Sequence, residues 1–237
     1  MGKLTMSLII PAYNEEKYIW SCLEYALRNG KWYFHEIIVI DNNSSDATKK
    51  VVEKYPEVKV FSEIKKWTSS ARQRWYLEST GDILAFVDAD TRMPAWWAKK
   101  IEDTFLRNKK VWVICGPYSY YDLHLPRYGF LYSWLYYSPI LAYVMSKVVG
   151  GICTGGNFAM RRTVLDQIKW FDTDIAFYGD EADLLKRAKK HTQSRYVIGM
   201  KMPTSARRYK HQWILKTGYL YMRHVFKPAK TPVADYR

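Results

Sequence analysis

An α/β fold with a mainly parallel central sheet flanked by helices is predicted by three observations on this 237-residue chain. Strand-like apolar runs alternate with helix-periodic segments over about the first ninety residues, as β-α-β-α-β-α-β. The run from Ile83 to Val87 is apolar throughout, as a strand buried on both faces must be, and Asp88 and Asp90 follow it at once. The length suits one domain with an elaboration and is enough to bury a full-sized core.

The elements follow in order. Residues 6–11 are rich in β-branched and apolar side chains and predict the first strand. A helix is expected from Asn14 or Glu15, because Tyr18, Ile19, Cys22, Leu23, Ala26 and Leu27 recur at helical spacing before Gly30. Residues 36–40 predict the second strand and 46–55 the second helix, with Asp46 as its N-cap. A third strand is expected over 58–61 and a third helix over 69–79, before Gly81 opens the central strand. Beyond it, 94–107 reads as a helix opened by proline, 111–115 as a strand, 180–190 as a helix and 196–200 as a late strand.

Charge is unevenly placed. Residues 1–183 hold 23 basic and 22 acidic side chains, whereas 184–234 hold 13 basic ones and no acid. A nucleic-acid-binding module, using the basic tail and its aromatics, is the reading such a tail invites. The balanced first 183 residues, and acids set at a sheet edge, argue against nucleic acid as a partner. The cysteines, Cys22, Cys115 and Cys153, are odd in number, far apart and without zinc-site spacing, so buried thiols in a reducing compartment are expected. The N-terminus runs directly into a strand without a cleavage site, which predicts a cytoplasmic location. The uncharged stretch 128–146 contains seven aromatics, three serines and Pro139, which suits a buried or interface-lying segment better than a spanning helix.

Three strand ends carry the candidate site: Pro11, Ala12, Tyr13 and Glu15 after the first, Asp41, Asn42 and Asn43 after the second, Asp88 and Asp90 after the central one. In open α/β sheets ligands bind at this edge. A tyrosine ring can stack on a base, and an aspartate can accept the N–H of a uracil or guanine edge or hold ribose hydroxyls. Asp-Ala-Asp offers hard oxygens suited to Mg²⁺ or Mn²⁺ carrying substrate phosphates, and equally suited to capping a helix. No GxGxxG or GxxxxGK[ST] occurs, so neither a dinucleotide fold nor a P-loop is indicated, and the glycine-rich loop of a nucleotide-sugar pyrophosphorylase is missing.

The ordered blocks SLIIPAYNEE, EIIVIDNNSSDAT, SSARQRW and GDILAFVDADTRMP, continued by GGNFAMRR and FYGDEADLLKR, resemble glycosyltransferase family 2, the inverting GT-A enzymes that include cellulose, chitin and dolichol-phosphate sugar synthases. The resemblance runs to about residue 208. It implies a metal-dependent inverting transfer from a UDP- or GDP-sugar to a lipid-linked or saccharide hydroxyl. It puts Pro11, Ala12, Tyr13 and Glu15 around base and ribose, Asp41 on the base, Arg72 facing the nucleotide, Asp88 on ribose, donor sugar or metal, and Asp90 on the metal. Where polyprenol-phosphate sugar synthases often carry a metal-holding glutamine, this chain has Arg92.

In the second half, Gly155, Gly156 and Asn157 are candidate substrate contacts, since the resemblance sets this region beneath the donor sugar and paired glycines admit close backbone approach. The acids Asp180, Glu181 and Asp183 open the expected helix and complement its N-terminus. Inverting transfer also needs one carboxylate as general base. The family commonly reads Glu-Asp-x-Asp; this chain reads Asp-Glu-Ala-Asp, which aligns Glu181 with the base and leaves Asp180 and Asp183 open for the role. The expected organisation is a GT-A domain over 1–205, with a nucleotide-sugar half 1–92 and an acceptor half 93–205, then a basic amphipathic segment 206–237. In that segment, Arg207, Arg208, Lys210, Lys216, Arg223, Lys227 and Lys230 suit either a diphosphate clamp or docking on the anionic cytoplasmic face of a membrane, each surface cation adding about 1 kcal/mol there.

Overall fold

The computed structural model describes residues 4–64, 68–122, 155–168, 180–188 and 193–207, without the side chains of 68–72 and 180–182. The aromatic segment 128–146, residues 150–154 and the basic segment beyond Arg207 lie outside the described residues.

Strands β1 (Met6–Ala12), β2 (Glu36–Asp41), β3 (Val58–Ser62) and β4 (Ile83–Val87) pair in parallel, in the order β3-β2-β1-β4. The sheet continues through β7 (Asn157–Arg161), antiparallel to both β4 and β5 (Val111–Cys115), and ends at β8 (Gln193–Tyr196), parallel to β5. A second small sheet pairs β6 (Tyr118–Tyr120) with β9 (Met202–Thr204).

Alternate side chains of the central strands feed two cores, one on each face of the sheet. Leu8 and Ile10 of β1 pack with Ile19, Leu23 and Ala26 of α1 (Ile19–Gly30), Val52 of α2 (Thr48–Val52), and Trp97, Ile101 and Phe105 of α4 (Trp97–Arg107). Ile9 points the other way, into a cluster with Trp75 of α3 (Thr68–Glu78), Val164 and Leu165 of α5 (Arg162–Gln167), and Leu184, Leu185 and Ala188 of α6 (Asp180–Ala188). Burial of β1, β2 and β4 on both faces is the reason their sequences run apolar rather than alternating.

Three expected boundaries are corrected. Helix α1 begins at Ile19, not at Asn14 or Glu15. Asn14 has φ 53°, in the left-handed region, and the N–H groups of Glu15 and Glu16 are taken by Thr48 Oγ1 and Asp46 Oδ2 at 2.7 and 3.1 Å. Helix α2 is the short Thr48–Val52, with the carboxylate of Asp46 spent on the Thr48 N–H as well as on Glu16. The strand expected over 196–200 is a turn, closed by Met200 N–H donating to Val197 O at 2.8 Å; β8 ends at Tyr196 and β9 starts at Met202. No helix among the described residues is long and apolar enough to cross a membrane. Cys22 and Cys115 are buried free thiols, as expected.

Candidate active site

The carboxyl ends of β1, β2 and β4 lie side by side because β1 is hydrogen-bonded to the other two in parallel. The loops after β1 and β2 are tied together by Asn14, which has a positive φ of 53°, as Asn43 has at 58°. Asn14 Oδ1 accepts the Ser45 N–H at 2.8 Å, and the Asn14 N–H donates to Ser44 Oγ at 3.0 Å. Pro11 and Tyr13 are half-buried above Ala12, while Asn43 is exposed. Asp41 is 4% exposed, and its Oδ1 is buried with no hydrogen-bond partner among the described residues; the same holds for Asn42 Oδ1. A buried, unpartnered carboxylate oxygen at a ligand-binding edge is costly unless a ligand N–H or O–H completes it.

Asp88 stands one residue beyond β4. The register pairs Val87 with Asn157, so Gly156 comes against Asp88. A Cβ on Gly156 would lie 2.1 Å from Asp88 Cγ, so any side chain there would evict the carboxylate. Tyr118 closes the arrangement: its hydroxyl donates to Asp88 Oδ2 at 2.7 Å and accepts the Gly156 N–H at 2.7 Å. Asn157 is fully buried. Its amide donates to the carbonyls of Pro117 and Met200 at 2.9 and 2.6 Å and accepts Trp97 Nε1–H at 2.9 Å. The expected substrate contact is therefore corrected for Asn157, whose side chain is consumed by the framework. Gly155 is half-buried beside it.

Asp90 is reached from β9. The bridge between Thr91 and Thr204 brings the two segments together, and the Ser205 N–H donates to Asp90 O at 3.2 Å. Thr204 Oγ1 donates to Asp90 Oδ1 at 3.0 Å, and Arg207 Nε lies 3.1 Å from Asp90 Oδ2. Arg207 Nη2 bonds Glu15 Oε1, and the guanidinium lies 4.4 Å from the centre of the Tyr18 ring. Burial pushes the Glu15 carboxyl up to about 7, against the opposing pull of Arg207 and with the help of the neighbouring Asp90 and Asp88 charges. Arg92 stacks on Tyr121 at 3.9 Å, and the Tyr121 hydroxyl donates to Asp90 O at 3.1 Å. Beneath them Cys22, pushed up to about 12 by burial, is an inert thiol.

Of the expected base candidates, Asp183 pairs with Arg187 four residues on, at 2.7–2.8 Å, in a link that braces α6. Asp180 and Glu181 open α6, whose leucines pack under the same sheet, but their side chains lie outside the described residues, as does that of Arg72. Sequence reasoning missed Tyr118 and Thr204 and held Arg207 only as one cation among seven. None has a local signal, since each meets its acid across 30 or more positions.

Asp88 and Asp90 are the residues that could hold a divalent metal. A cleft that already lodges a guanidinium between Asp90 and Glu15 is built for positive charge, and both acids present hard oxygens. Among the described residues no three acids, histidines or cysteines form a metal-ligating cluster. Two carboxylates nonetheless suit Mg²⁺ or Mn²⁺, which commonly take their other ligands from substrate phosphates and water.

A largely parallel sheet with acids on its carboxyl edge and an antiparallel strand set beside them defines the GT-A class. Structures of that kind superpose on this chain: S. aureus TarS 1–349 with a TM-score of 0.67 at 18% identity, covering 94% of this chain and 64% of that one. Glucosyl-3-phosphoglycerate synthase from Mycobacterium tuberculosis, in complex with Mn²⁺, UDP and phosphoglyceric acid, gives 0.65 at 19% identity over 94% and 76%. The chain belongs to glycosyl transferase family 2, whose description matches residues 7–169. Similar curated proteins include a dolichyl-phosphate beta-glucosyltransferase of Dictyostelium discoideum, 30% identical over 136 residues, and a dolichol-phosphate mannosyltransferase of Pyrococcus furiosus, 36% identical over 99. Those matches take in 51% and 38% of this chain and 42% and 27% of the relatives, so the chain spans less than half the length of each.

Proposed function

We propose that this chain is a metal-dependent inverting glycosyltransferase that moves a sugar from a UDP- or GDP-linked donor to a hydroxyl of a lipid-linked or saccharide acceptor. The observation that carries the reading is the convergence on one sheet edge of Asp41, with its unpartnered buried oxygen, and of Asp88 and Asp90. Asp41 accepts the N–H of a uracil or guanine edge, Tyr13 covers the base, and Pro11, Ala12 and Glu15 line base and ribose. Asp88 and Asp90 hold Mg²⁺ or Mn²⁺, which would neutralise the diphosphate as it leaves. Arg207 stands beside Asp90, within the same cleft, as a second source of positive charge for the diphosphate, and Arg72 is a further candidate.

On the acceptor side, Glu181 takes the proton of the attacking hydroxyl as its oxygen bonds to the anomeric carbon and the bond to the diphosphate oxygen breaks. Asp180 is the alternative base; Asp183 is the weaker one, because Arg187 already engages it. Relatives named for dolichyl phosphate support a lipid-linked acceptor, and the mycobacterial neighbour's Mn²⁺ and UDP support the metal and donor class. Docking of the basic segment after residue 206 on an anionic membrane face follows from its charge. A thermal-shift panel of UDP-, GDP- and TDP-sugars, with and without Mn²⁺, tests the reading. Stabilisation by one nucleotide class, larger with Mn²⁺, is expected; no shift with any of them contradicts it.

A further inference from the structure

We propose that Tyr118 is the positioning residue of the donor site, fixing the Asp88 carboxylate in the orientation that receives metal and donor. The proposal rests on the reading of Asp88 as a donor-site acid. Free aspartate side chains rotate about two bonds, and a metal-holding carboxylate that must be ordered on binding loses affinity to that ordering. Here the freedom is removed beforehand. Gly156 presses its Cα against one face of the carboxylate, where even a methyl group would sit 2.1 Å from Cγ, and the Tyr118 hydroxyl bonds Oδ2 at 2.7 Å. The Gly156 N–H donates to the same hydroxyl at 2.7 Å, so the phenol proton has one direction left, toward Asp88.

Tyr118 is itself held. The carbonyl of the preceding Pro117 accepts both Asn157 Nδ2–H and the Met202 N–H, each at 2.9 Å. Gly116 admits the Met200 backbone to a distance that a Cβ would close to 2.3 Å. β6 then pairs with β9, Tyr118 opposite Met202, which is the strand that carries Thr204 to Asp90. The hydroxyl of Tyr118 thus couples the two aspartates through one small sheet. Asn157 belongs to the same support, which accounts for its full burial.

Tyr118→Phe keeps the ring and removes only the hydroxyl. Titration of the chain with Mn²⁺, followed by the spin resonance of the free ion, and calorimetric titration with the UDP- or GDP-sugar it accepts give the readouts. Affinity for both is expected to fall about tenfold, with the melting temperature little changed. Gly156→Ala should lower both affinities at least as far, because its methyl group displaces the carboxylate. Wild-type affinities in Tyr118→Phe, or a loss confined to melting temperature, overturn the proposal and make Tyr118 a packing residue. Asp88→Asn separates the two claims: wild-type Mn²⁺ and donor affinity there removes Asp88 from the donor site and the proposal with it, whereas weakened binding in Asp88→Asn beside normal binding in Tyr118→Phe overturns the role of Tyr118 alone.

Discussion

Arg207 Nε lies 3.1 Å from Asp90 Oδ2, while the same guanidinium bonds Glu15 Oε1 across a sequence separation of 192 residues. One cation therefore serves two largely buried acids, with side-chain exposures of 12% for Asp90 and 13% for Glu15. Removing it leaves both carboxylates uncompensated. Arg207→Gln should melt several degrees below the wild type without metal, and millimolar Mn²⁺ should restore most of the loss, because the ion takes over the vacated charge. Calorimetric melting with and without Mn²⁺ checks this; an equal deficit in both conditions would mean that the ion does not occupy the cleft.

Asp41 carries a buried oxygen with no hydrogen-bond partner among the described residues. Asp41→Ala should weaken binding of the free nucleoside diphosphate about tenfold or more, the value of a hydrogen bond to a charged group. Isothermal titration with UDP and GDP measures it. Unchanged affinity would take Asp41 away from the base.

Asn157 is framework, so its loss should register in stability more than in donor affinity. Asn157→Ala orphans the Trp97 indole N–H and the Met200 carbonyl and takes one of two donors from the Pro117 carbonyl, at a cost of about 3 kcal/mol in urea unfolding. Donor affinity per folded molecule should fall by less than the about tenfold expected of Tyr118→Phe, because Asn157 reaches Asp88 only through Pro117 and Tyr118. A large affinity loss with normal stability would reinstate Asn157 as a substrate contact.

The far end of the sheet supplies the acid limit of stability. Glu36 is nearly buried, and burial alone would raise its carboxyl, but Lys59, Ser7 and Thr80 outweigh that and hold it down to about 2. A carboxyl depressed in the folded state contributes stability that is complete above its unfolded value of 4.5 and is lost as pH falls toward about 2. Urea unfolding at pH 7, 4 and 3 should show a fall of roughly 2 kcal/mol between pH 7 and 3 for this group, and Glu36→Gln should flatten it. A slope unchanged in Glu36→Gln would assign the acid limit to other groups.

The general base is decided by exchange. Glu181→Gln should retain donor affinity and lose roughly two or more decades in turnover, whereas Asp183→Asn should chiefly cost the Arg187 brace and a fraction of a kcal/mol. The reverse pattern in steady-state kinetics would move the base to Asp183.

Much of this site was legible in the sequence wherever the signal was local. The apolar run Ile83–Val87 predicted β4 to the residue, because a strand covered on both faces cannot alternate, and acids set immediately behind such runs fall at the sheet edge. Boundaries failed where tertiary bonds overrode periodicity. The Thr48 hydroxyl and Asp46 carboxylate divert residues 15 and 16 from α1, and the turn 197–200 breaks an apolar stretch that reads as a strand. The antiparallel insertion of β7 between β4 and β5 leaves no periodic trace, so the contact of Gly156 with Asp88 was invisible, and with it the part played by Tyr118. Arg207 could be counted as a charge but not aimed, since its direction depends on the bridge between Thr91 and Thr204.

The most direct measurement is the release of nucleoside diphosphate from UDP- and GDP-sugars by the wild type and Asp90→Ala, over a Mn²⁺ titration, with circular dichroism confirming that both are folded. Turnover that requires the divalent ion in the wild type and falls by roughly two or more decades in Asp90→Ala is the result predicted. Equal turnover by the two proteins at every Mn²⁺ concentration would contradict the assignment of Asp90 to the metal and of this cleft to sugar transfer.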